Sequence, residues 1–483
     1  MMVWLPEIVN IRLMFGDRGV VTRRSAAMLA CSWLLALALA SLHGQTAPRP
    51  NIVVFLSDDM GWEQVGFNGG EEVPTPNIDR IAREGVKLTQ FYVQPVCSPT
   101  RACLLTGRYA WKNGMEVRPT AESRHGMLLD ERTIAEALRE AGYQTWMVGK
   151  WHLGEWQRPH LPLQRGFDHH YGHYSALIDS FTHMRGPVLD WHRNGRPVIE
   201  EGYSTFLLAD EASRLVQRHD GGRPFFLYLP FNAVHGPHQA PDEFLEKYAH
   251  RGRAGPQRAQ LECMDIAIGR VIEALERKGL LDATLVMFTN DNGGIRITSN
   301  GPYRGFKAHY HEGGVRVPAA MRWPGRIPAG SASDEMLHAV DLFPTLARLA
   351  GAKTDSGLPL DGLDAWDAIA NGAASPRDEI VHSLEVIRVA DWKLIEEGAS
   401  YYGWRDQPLQ LFNIRDDPYE ETNLAGSRPD KVAELRERLA RHRLLAREPE
   451  MLEQIPNYPP AVYGEVEERV FGERVRMRIS EPN

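Results

Sequence analysis

The sequence predicts an α/β fold with a mostly parallel central sheet and flanking helices, plus a smaller C-terminal antiparallel sheet with a packed helix. Apolar, β-branched runs that alternate with helical patterns predict the first part. Beyond a linker-like "NGAASPRDE" near residue 371, the apolar runs become short and closely spaced, and one helical pattern follows them. This change predicts the second part.

Each element rests on its own pattern. Buried strands are predicted at 51–57, 143–149, 224–231 and 283–289. Helices are predicted at 130–141, 203–219, 257–278 and 339–350. In the second part "EIVHSL", "DWKLIEE" and "LQLFNI" read as short strands and 429–445 as a helix. The predicted segments are an N-terminal extension with a signal peptide (1–47), a larger α/β domain (48–375), and a smaller α+β domain with its tail (376–483).

Composition and charge exclude some classes of function. The 483 residues carry a formal net charge of −8 with no basic runs, which excludes nucleic acid as a partner. Residues 23–40, "RRSAAMLACSWLLALALA", have the positive start, short apolar run and small-residue end of a secretory signal peptide. We therefore expect an exported protein without stable membrane association after cleavage. The chain has no N-x-S/T acceptor, which favours a bacterial periplasm or secretion.

Cysteine usage excludes a disulfide-stapled scaffold. Of the four cysteines, Cys31 lies in the predicted signal peptide, so Cys97, Cys103 and Cys263 remain. An odd number leaves at least one unpaired. Whether Cys103 and Cys263 pair stays open.

Polar residues follow two of the predicted strands. Asp58 and Asp59 come after the first strand, and Asp291 and Asn292 after the last. Binding sites in open α/β sheets lie at this carboxyl edge. Four oxygen ligands suit Ca²⁺ or Mg²⁺ better than zinc. The alternative is that each Asp caps a helix or forms a turn.

The stretch "CSPTRACLLTG" reads as a helix that ends at Gly107. Cys97 is predicted at its cap position, where free N–H groups and the helix dipole favour an anion. The alternative is a small buried residue or an ordinary thiol of low pKa. A thiol is poorly suited to hydrolysing a sulfate ester, because release of the adduct needs a second nucleophile, whereas a hydrated aldehyde carries two hydroxyls on one carbon.

"CSPTRACLLTGR" resembles the pattern of the type I sulfatases, whose cysteine is oxidised to Cα-formylglycine. The resemblance continues through "DDMGW", "GKWHLG", "AVHGPHQAP", "NDNGG", "GFKAHYHEGGVRVP" and "LFNIRDDPYEETNLA", over nearly all of residues 50–425. Its motifs look most like the arylsulfatase B or N-acetylgalactosamine 4-sulfatase branch and its bacterial relatives. The resemblance implies an alkaline-phosphatase-like fold and a formylglycine-generating enzyme as a maturation partner.

The resemblance also implies roles for single residues. The metal is expected to be Ca²⁺ rather than Mg²⁺, bound by modified Cys97 together with Asp58, Asp59, Asp291 and Asn292. Arg101 is expected to stabilise the hydrate.

Two further motifs supply the groups around the sulfate. Lys150 is expected to bind sulfate and His152 to take a proton from the second hydroxyl. His235 is expected to protonate or hydrogen-bond the leaving alcohol, and Lys307 to bind sulfate and share that task. His238 is the weaker candidate for the role of His235.

Substrate recognition is predicted in the segment 168–196, which is rich in His, Tyr, Trp and Arg. His173, Tyr174, His183 and Arg185 are candidates for contacts with a sugar, for which 4-sulfated N-acetylgalactosamine of glycosaminoglycan fragments is the expected example. The alternative is that they pack a long ordered loop.

Two other functions compete with sulfate ester hydrolysis. One is hydrolysis of phosphonate or phosphate esters on the same fold, since some such enzymes also use formylglycine. The other is an inactive relative that binds sulfated glycan. The sequence favours sulfate hydrolysis because every expected catalytic position is filled.

Overall fold

The computed structural model describes residues 49–117, 125–186, 188–355, 358–403 and 407–450. The predicted extension and signal peptide at 1–47, and the tail from residue 451, lie outside the described residues. Within the described residues, no helix combines the length and the apolar character needed to cross a bilayer.

The strands of the described residues follow in chain order. They are β1 Asn51–Ser57, β2 Val86–Leu88, β3 Phe91–Tyr92, β4 Gln144–Lys150, β5 His169–His173, β6 Met184–Arg185, β7 Val188–Leu189, β8 His192–Arg193, β9 Arg196–Pro197, β10 Phe225–Pro230, β11 Thr284–Asn290, β12 Ala320–Arg322, β13 Ser331–Ser333, β14 Leu337–His338, β15 Glu379–Ser383, β16 Val386–Val389, β17 Trp392–Ile395 and β18 Gln410–Asn413.

The central sheet has ten strands in the order β13-β2-β12-β11-β1-β10-β4-β5-β8-β9. Its middle, from β11 to β5, is entirely parallel, and antiparallel strands extend it on both sides. The four predicted strands are β1, β4, β10 and β11, which are contiguous in this parallel part. The predicted α/β class is confirmed.

Each predicted helix corresponds to an α-helix of the described residues to within four residues, and five further α-helices were not predicted. In chain order the α-helices are α1 Pro76–Arg83, α2 Cys97–Thr106, α3 Ala110–Asn113, α4 Ile134–Glu140, α5 Ser204–Arg218, α6 Asp242–Tyr248, α7 Gly255–Arg277, α8 Glu312–Val315, α9 Leu342–Ala350, α10 Trp366–Ala370 and α11 Pro429–Arg443.

One helix start illustrates the local chemistry. Thr133 caps α4, since its hydroxyl accepts the Glu136 N–H at 3.1 Å while the Glu136 carboxylate accepts the Thr133 N–H at 2.7 Å.

Successive residues of β1 alternate between two hydrophobic cores, one on each face of the sheet. Ile52 and Val54 belong to the core on one face, whereas Val53 and Phe55 belong to the core on the other, with α5 and α7. Both faces are therefore covered, as the uninterrupted apolar strands predict.

The C-terminal sheet is antiparallel, in the order β15-β16-β17-β18, and α11 packs through Val432, Leu435 and Leu439. Leu411 of β18 lies in the same hydrophobic core as Ile52 of the central sheet. The predicted boundary at 375/376 stays a prediction, since the two sheets share one core.

In the sequence, the segment 168–196 reads as a long ordered loop, but the structure shows several strands in it. It contains β5 and β8, which extend the central sheet, and the hairpin of β6 with β7. The polar sequence "HHYGH" does not predict the strand β5, because two of its histidines, His170 and His173, lie in the interior instead of facing solvent.

Candidate active site

The candidate site lies where the parallel strands end. Asp58 and Asp59 follow β1, Asp291 and Asn292 follow β11, and Lys150 is the last residue of β4. Parallel strands place their carboxyl ends at one edge of the sheet, so residues far apart in sequence meet there.

Helix α2 brings Cys97 to this edge. All ten of its residues are buried. The structure corrects the predicted cap by one residue: Val96 is the cap and Cys97 is the first helical residue. Gly107 ends the helix in the left-handed region at φ 66, as predicted, and its N–H donates to the Cys103 carbonyl at 2.9 Å.

Arg101, one turn along α2, is fully buried and joins both strand ends to the helix. Its Nη2 lies 2.7 Å from Asp291 Oδ2 and 3.1 Å from Asp58 Oδ2, and its Nε lies 3.1 Å from Asp291 Oδ2. Its Nη1 donates to the Lys150 carbonyl at 2.9 Å. A single guanidinium therefore fixes three elements of the site.

The carboxylates of the site differ in the direction in which their pKa values are shifted. Burial raises the pKa of Asp58, but the charges of Lys150, His235 and Arg101 outweigh it and hold the pKa below its ordinary value. Burial and the nearby Asp58 charge raise the pKa of Asp291 to about 7, against the opposing charge of Arg101. Like charges close together in the interior cannot all ionise easily without further positive charge.

Two oxygens of the site lack a partner. Asp58 Oδ1 and Asn292 Oδ1 are buried and accept no hydrogen bond among the described residues. One oxygen each of Asp58 and Asp291 lies within 4.8 Å of the other and of Cys97 Sγ, so these groups can hold one ion. Buried acceptors without donors, within a set of carboxylate and amide oxygens, fit a hard cation such as Ca²⁺ or Mg²⁺.

Asp59, which follows Asp58 in the sequence, forms an ion pair with Lys307. Lys307 Nζ lies 2.6 Å from Asp59 Oδ1, and the Asn292 amide donates to the same oxygen at 2.8 Å. Burial lowers the pKa of Lys307, but the Asp59 charge outweighs it and raises the pKa above its ordinary value. Lys150 pairs in the same way with Asp58. Both lysine side chains therefore lie against carboxylates of the oxygen cluster.

Cys97 and His152 are in contact. His152 Nδ1 lies 3.2 Å from Cys97 Sγ, and its Nε2 is buried without a hydrogen bond among the described residues. Burial, with the charges of Lys150 and Arg101, holds the pKa of His152 well below its ordinary value, so the ring is a neutral base. Burial raises the pKa of the Cys97 thiol, which disagrees with the alternative of a low-pKa thiolate.

His235 lies at the rim of the cluster. Its Nδ1 donates to the Gly236 carbonyl at 2.6 Å, and its Nε2 lies 3.6 Å from Asp59 Oδ2. Burial lowers its pKa to about 4, although Asp59 opposes the shift. His238 instead bonds to Gln260 Oε1 at 2.9 Å, away from the carboxylates. Of the two histidines, the structure brings only His235 to the cluster.

Of the four candidate sugar contacts, three are buried and one, Arg185, is half-buried. His173, Tyr174 and His183 are 0%, 2% and 1% exposed. The Tyr174 ring stacks on His192 at 4.3 Å between centroids, and His183 bonds to the Gly202 carbonyl at 3.1 Å. Arg185 is half-buried, and its charge acts on His152. The packing alternative thus describes the three buried residues, and their contact with substrate stays a prediction.

Some residues that organise the site were not predicted from the sequence. Asp190 accepts the N–H groups of Tyr174 and Ser175, both at 2.9 Å, and so orders the segment beside β5. The Asn290 amide donates to the Met60 carbonyl at 2.7 Å, which ties the two strand ends together. Only the position of Asn290 beside Asp291 signalled a role.

Known proteins are similar to this chain in sequence and in structure. The family model "Sulfatase" matches residues 50–352. Arylsulfatase J of Mus musculus is 33% identical over 453 residues, which cover 81% of this chain and 75% of the relative. N-acetylgalactosamine-6-sulfatase of Canis lupus familiaris is 37% identical over 379 residues, 72% of each chain. The crystal structure of Ps i-CgsB in complex with k-i-k-neocarrahexaose superposes with a TM-score of 0.76 at 31% identity, covering 90% of this chain and 98% of that one.

Proposed function

The chain belongs to the sulfatase family of sulfuric ester hydrolases, and from this premise we propose that it desulfates O-sulfated sugars through a formylglycine made from Cys97. The observation that carries the proposal is the contact of Cys97 with His152, together with two buried carboxylates, Asp58 and Asp291, each with an oxygen within 4.8 Å of Cys97 Sγ. The family implies a metal ion and formylglycine in general. We propose Ca²⁺ as the ion, held by Asp58, Asp59, Asp291, Asn292 and modified Cys97.

When present, the hydrated aldehyde supplies one hydroxyl to attack sulfur and a second to expel sulfate, and Ca²⁺ supplies positive charge beside them. In the structure, Cys97 Sγ stands in for an oxygen of that hydrate. His152 accepts the proton of the second hydroxyl in this proposal, which is supported by the distance of 3.2 Å from its Nδ1 to Cys97 Sγ. Arg101 orients the carboxylates of Asp58 and Asp291.

Lys150 and Lys307 bind the sulfate oxygens, since each ammonium already lies against a carboxylate at the same edge. Lys307 donates a hydrogen bond or a proton to the leaving alcohol oxygen. His235 shares this task only as an imidazolium, with the proton at Nε2, because its Nδ1–H is already donated to the Gly236 carbonyl. Arg185 is the candidate for a sugar contact with the most support, because its charge reaches His152 and its side chain is not fully buried. His173, Tyr174 and His183 remain candidates that shape the same wall.

For the substrate we propose a sulfated galactosamine. The motifs of the chain suggest sulfate at the 4-position, as in glycosaminoglycan fragments. The 6-sulfate is a second candidate, favoured by the similarity to N-acetylgalactosamine-6-sulfatase. Desulfation of matched 4- and 6-sulfated N-acetylgalactosamine, followed by sulfate release, distinguishes the two. Activity on neither sugar, with activity on another sulfated glycan, would reject both.

Mass spectrometry of the peptide that contains Cys97 tests the mechanism. We expect the mass of formylglycine in active protein and no turnover by the Cys97→Ala variant, with the fold retained. Fully active protein with an unmodified thiol would refute the mechanism. Turnover that prefers an aryl phosphonate to an aryl sulfate would favour phosphonate hydrolysis, and correctly matured protein that binds glycan without turnover would indicate an inactive relative.

Export to the periplasm or medium, and maturation by a formylglycine-generating enzyme, complete the proposal. Both are tested in one experiment, in which the secreted fraction is analysed for a cleaved N-terminus and for modified Cys97. A full-length N-terminus in the cytoplasmic fraction would reject export.

A further inference from the structure

A buried cluster of charges joins the C-terminal sheet to the segment that carries Lys307. Lys393 of β17 places its Nζ 3.1 Å from Glu312 Oε1 and 2.9 Å from Glu420 Oε1. All three residues are 0% exposed. Charges buried this deeply are stable only when they are paired, so the geometry of the cluster is closely fixed.

Glu420 contacts both ends of residues 304–313, which we name the Lys307 loop. Its Oε2 accepts the Glu312 N–H at 2.7 Å, and its backbone carbonyl accepts Arg304 Nη1 at 2.9 Å. The Gly313 N–H donates to the Arg304 carbonyl at 2.7 Å and closes the loop at its base. A single residue of the C-terminal region thus spans the base of the loop.

The middle of the Lys307 loop is bonded to the active site itself. The Lys307 N–H donates to the Gly294 carbonyl at 2.9 Å, two residues beyond Asn292. The Ala308 N–H donates to the Pro95 carbonyl at 2.8 Å, two residues before Cys97. The position of the loop therefore decides where the Lys307 ammonium lies relative to Asp59.

The backbone is strained at both places. Ala308 and Glu420 have φ of 72 and 59 degrees, in the left-handed region. For residues other than glycine this conformation is unfavourable, and it persists only where the surroundings enforce it. Loss of the Glu420 contacts should therefore release the loop rather than leave it in place.

We propose that Glu420, held by Lys393, is a positioning residue for Lys307 and acts through the geometry of the Lys307 loop. The inference rests on the proposed role of Lys307 in sulfate binding. Glu420 does not touch the substrate. The C-terminal sheet thereby contributes to turnover, through one carboxylate, as well as to packing.

A double-mutant cycle on the matured full-length enzyme tests the proposal. The variants are Glu420→Ala, Lys307→Ala and the double variant, and kcat/KM is measured with the sulfated sugar that the wild type turns over. Because displacement of a binding group by about 1 Å costs up to roughly 100-fold, we expect Glu420→Ala to lower kcat/KM by about 10- to 100-fold. In the Lys307→Ala background the same change should cost nothing further. Glu420→Gln keeps an oxygen acceptor for Glu312 and should recover part of the activity.

Asp265→Ala is the matched control. Asp265 is 2% exposed and its carboxylate accepts the Ile78 N–H at 2.9 Å, so it is also a buried carboxylate bonded to the backbone. The hydrogen bonds recorded for its carboxylate go to Asn77 and Ile78, outside the Lys307 loop. We expect this variant to lose stability while kcat/KM stays at the wild-type value. Hydrogen exchange supplies a second readout: the amides of Lys307 and Ala308 should exchange faster in Glu420→Ala and unchanged in Asp265→Ala.

The outcomes are distinct. Losses that multiply in the double variant, or unchanged exchange at Lys307 and Ala308, would overturn the positioning role. If Glu420→Ala does not fold, Glu420→Gln takes its place in the cycle, with the same expectation and a smaller loss. If the wild type desulfates no sugar, the proposed function fails, and the exchange measurement decides the inference about the loop by itself.

Discussion

Replacement of Arg101 by lysine should destabilise the protein although it keeps the charge. The guanidinium makes four hydrogen bonds, at 2.7, 2.9, 3.1 and 3.1 Å, to Asp58, Asp291 and the Lys150 carbonyl. One ammonium cannot reach acceptors on three sides, so at least two of these bonds are lost. A lost hydrogen bond to a charged group costs about 1.5–3 kcal/mol, so the loss of two gives about 3–6 kcal/mol for Arg101→Lys.

The assay is urea unfolding followed by tryptophan fluorescence, with Arg348→Lys as the control. Arg348 also bridges two aspartates, at 2.8 Å from Asp364 and 3.1 Å from Asp367, but its side chain is 49% exposed. Water replaces its bonds, so the control should match the wild type. If Arg101→Lys lies within about 1 kcal/mol of the wild type, the guanidinium does not hold the three elements together and the reasoning fails.

Three further predictions concern metal, pH and the shared core. Chelation should lower the melting temperature and added Ca²⁺ should restore it, because Asp58 Oδ1 and Asn292 Oδ1 accept no hydrogen bond among the described residues. At a Ca²⁺ concentration of 100 times Kd, the free energy of unfolding should rise by about 2.7 kcal/mol. Asn292→Ala should reduce this response, and an equal response would contradict the ligand set. Burial raises the pKa of Glu155 from 4.5 to about 8. The protonated carboxyl therefore stabilises the fold fully below pH 4.5, and this contribution, at most about 5 kcal/mol, should be lost as the pH rises toward 8. Melting curves of Glu155→Gln should lack this loss, and pH profiles that run parallel in the variant and the wild type would refute the shift. Leu411→Ala should cost about 2–5 kcal/mol and shift a single unfolding transition, whereas a separate early transition would show that the C-terminal sheet unfolds independently.

The fold was largely predictable because its central strands are covered on both faces. β1, β4, β10 and β11 read as continuous apolar runs, and the residues after β1 and β11 could be placed at one edge without any coordinates. β5 could not be found in this way. Its histidines are accommodated by ring stacking and by the buried Asp190, which only the folded chain brings to them.

Other features depend on contacts that leave no local pattern. The cap of α2 falls on Val96 because backbone dihedral angles decide it, and a proline and a serine in the first turn do not specify them. The cluster of Glu312, Lys393 and Glu420 joins positions 81 and 108 residues apart, so no spacing rule predicts it. The common core of the two sheets was hidden by the linker-like composition near residue 371.

The complete burial of α2 also determines whether Cys97 is oxidised before or after the chain folds. A second protein cannot reach Cys97 once the helix has packed, because Cys97 is 2% exposed and every residue of the helix is buried. Any enzyme that oxidises this cysteine must therefore bind the stretch "CSPTR" while the chain is still unfolded. A molecule that packs α2 before it meets the modifying enzyme therefore keeps an unmodified thiol at position 97 for as long as it stays folded.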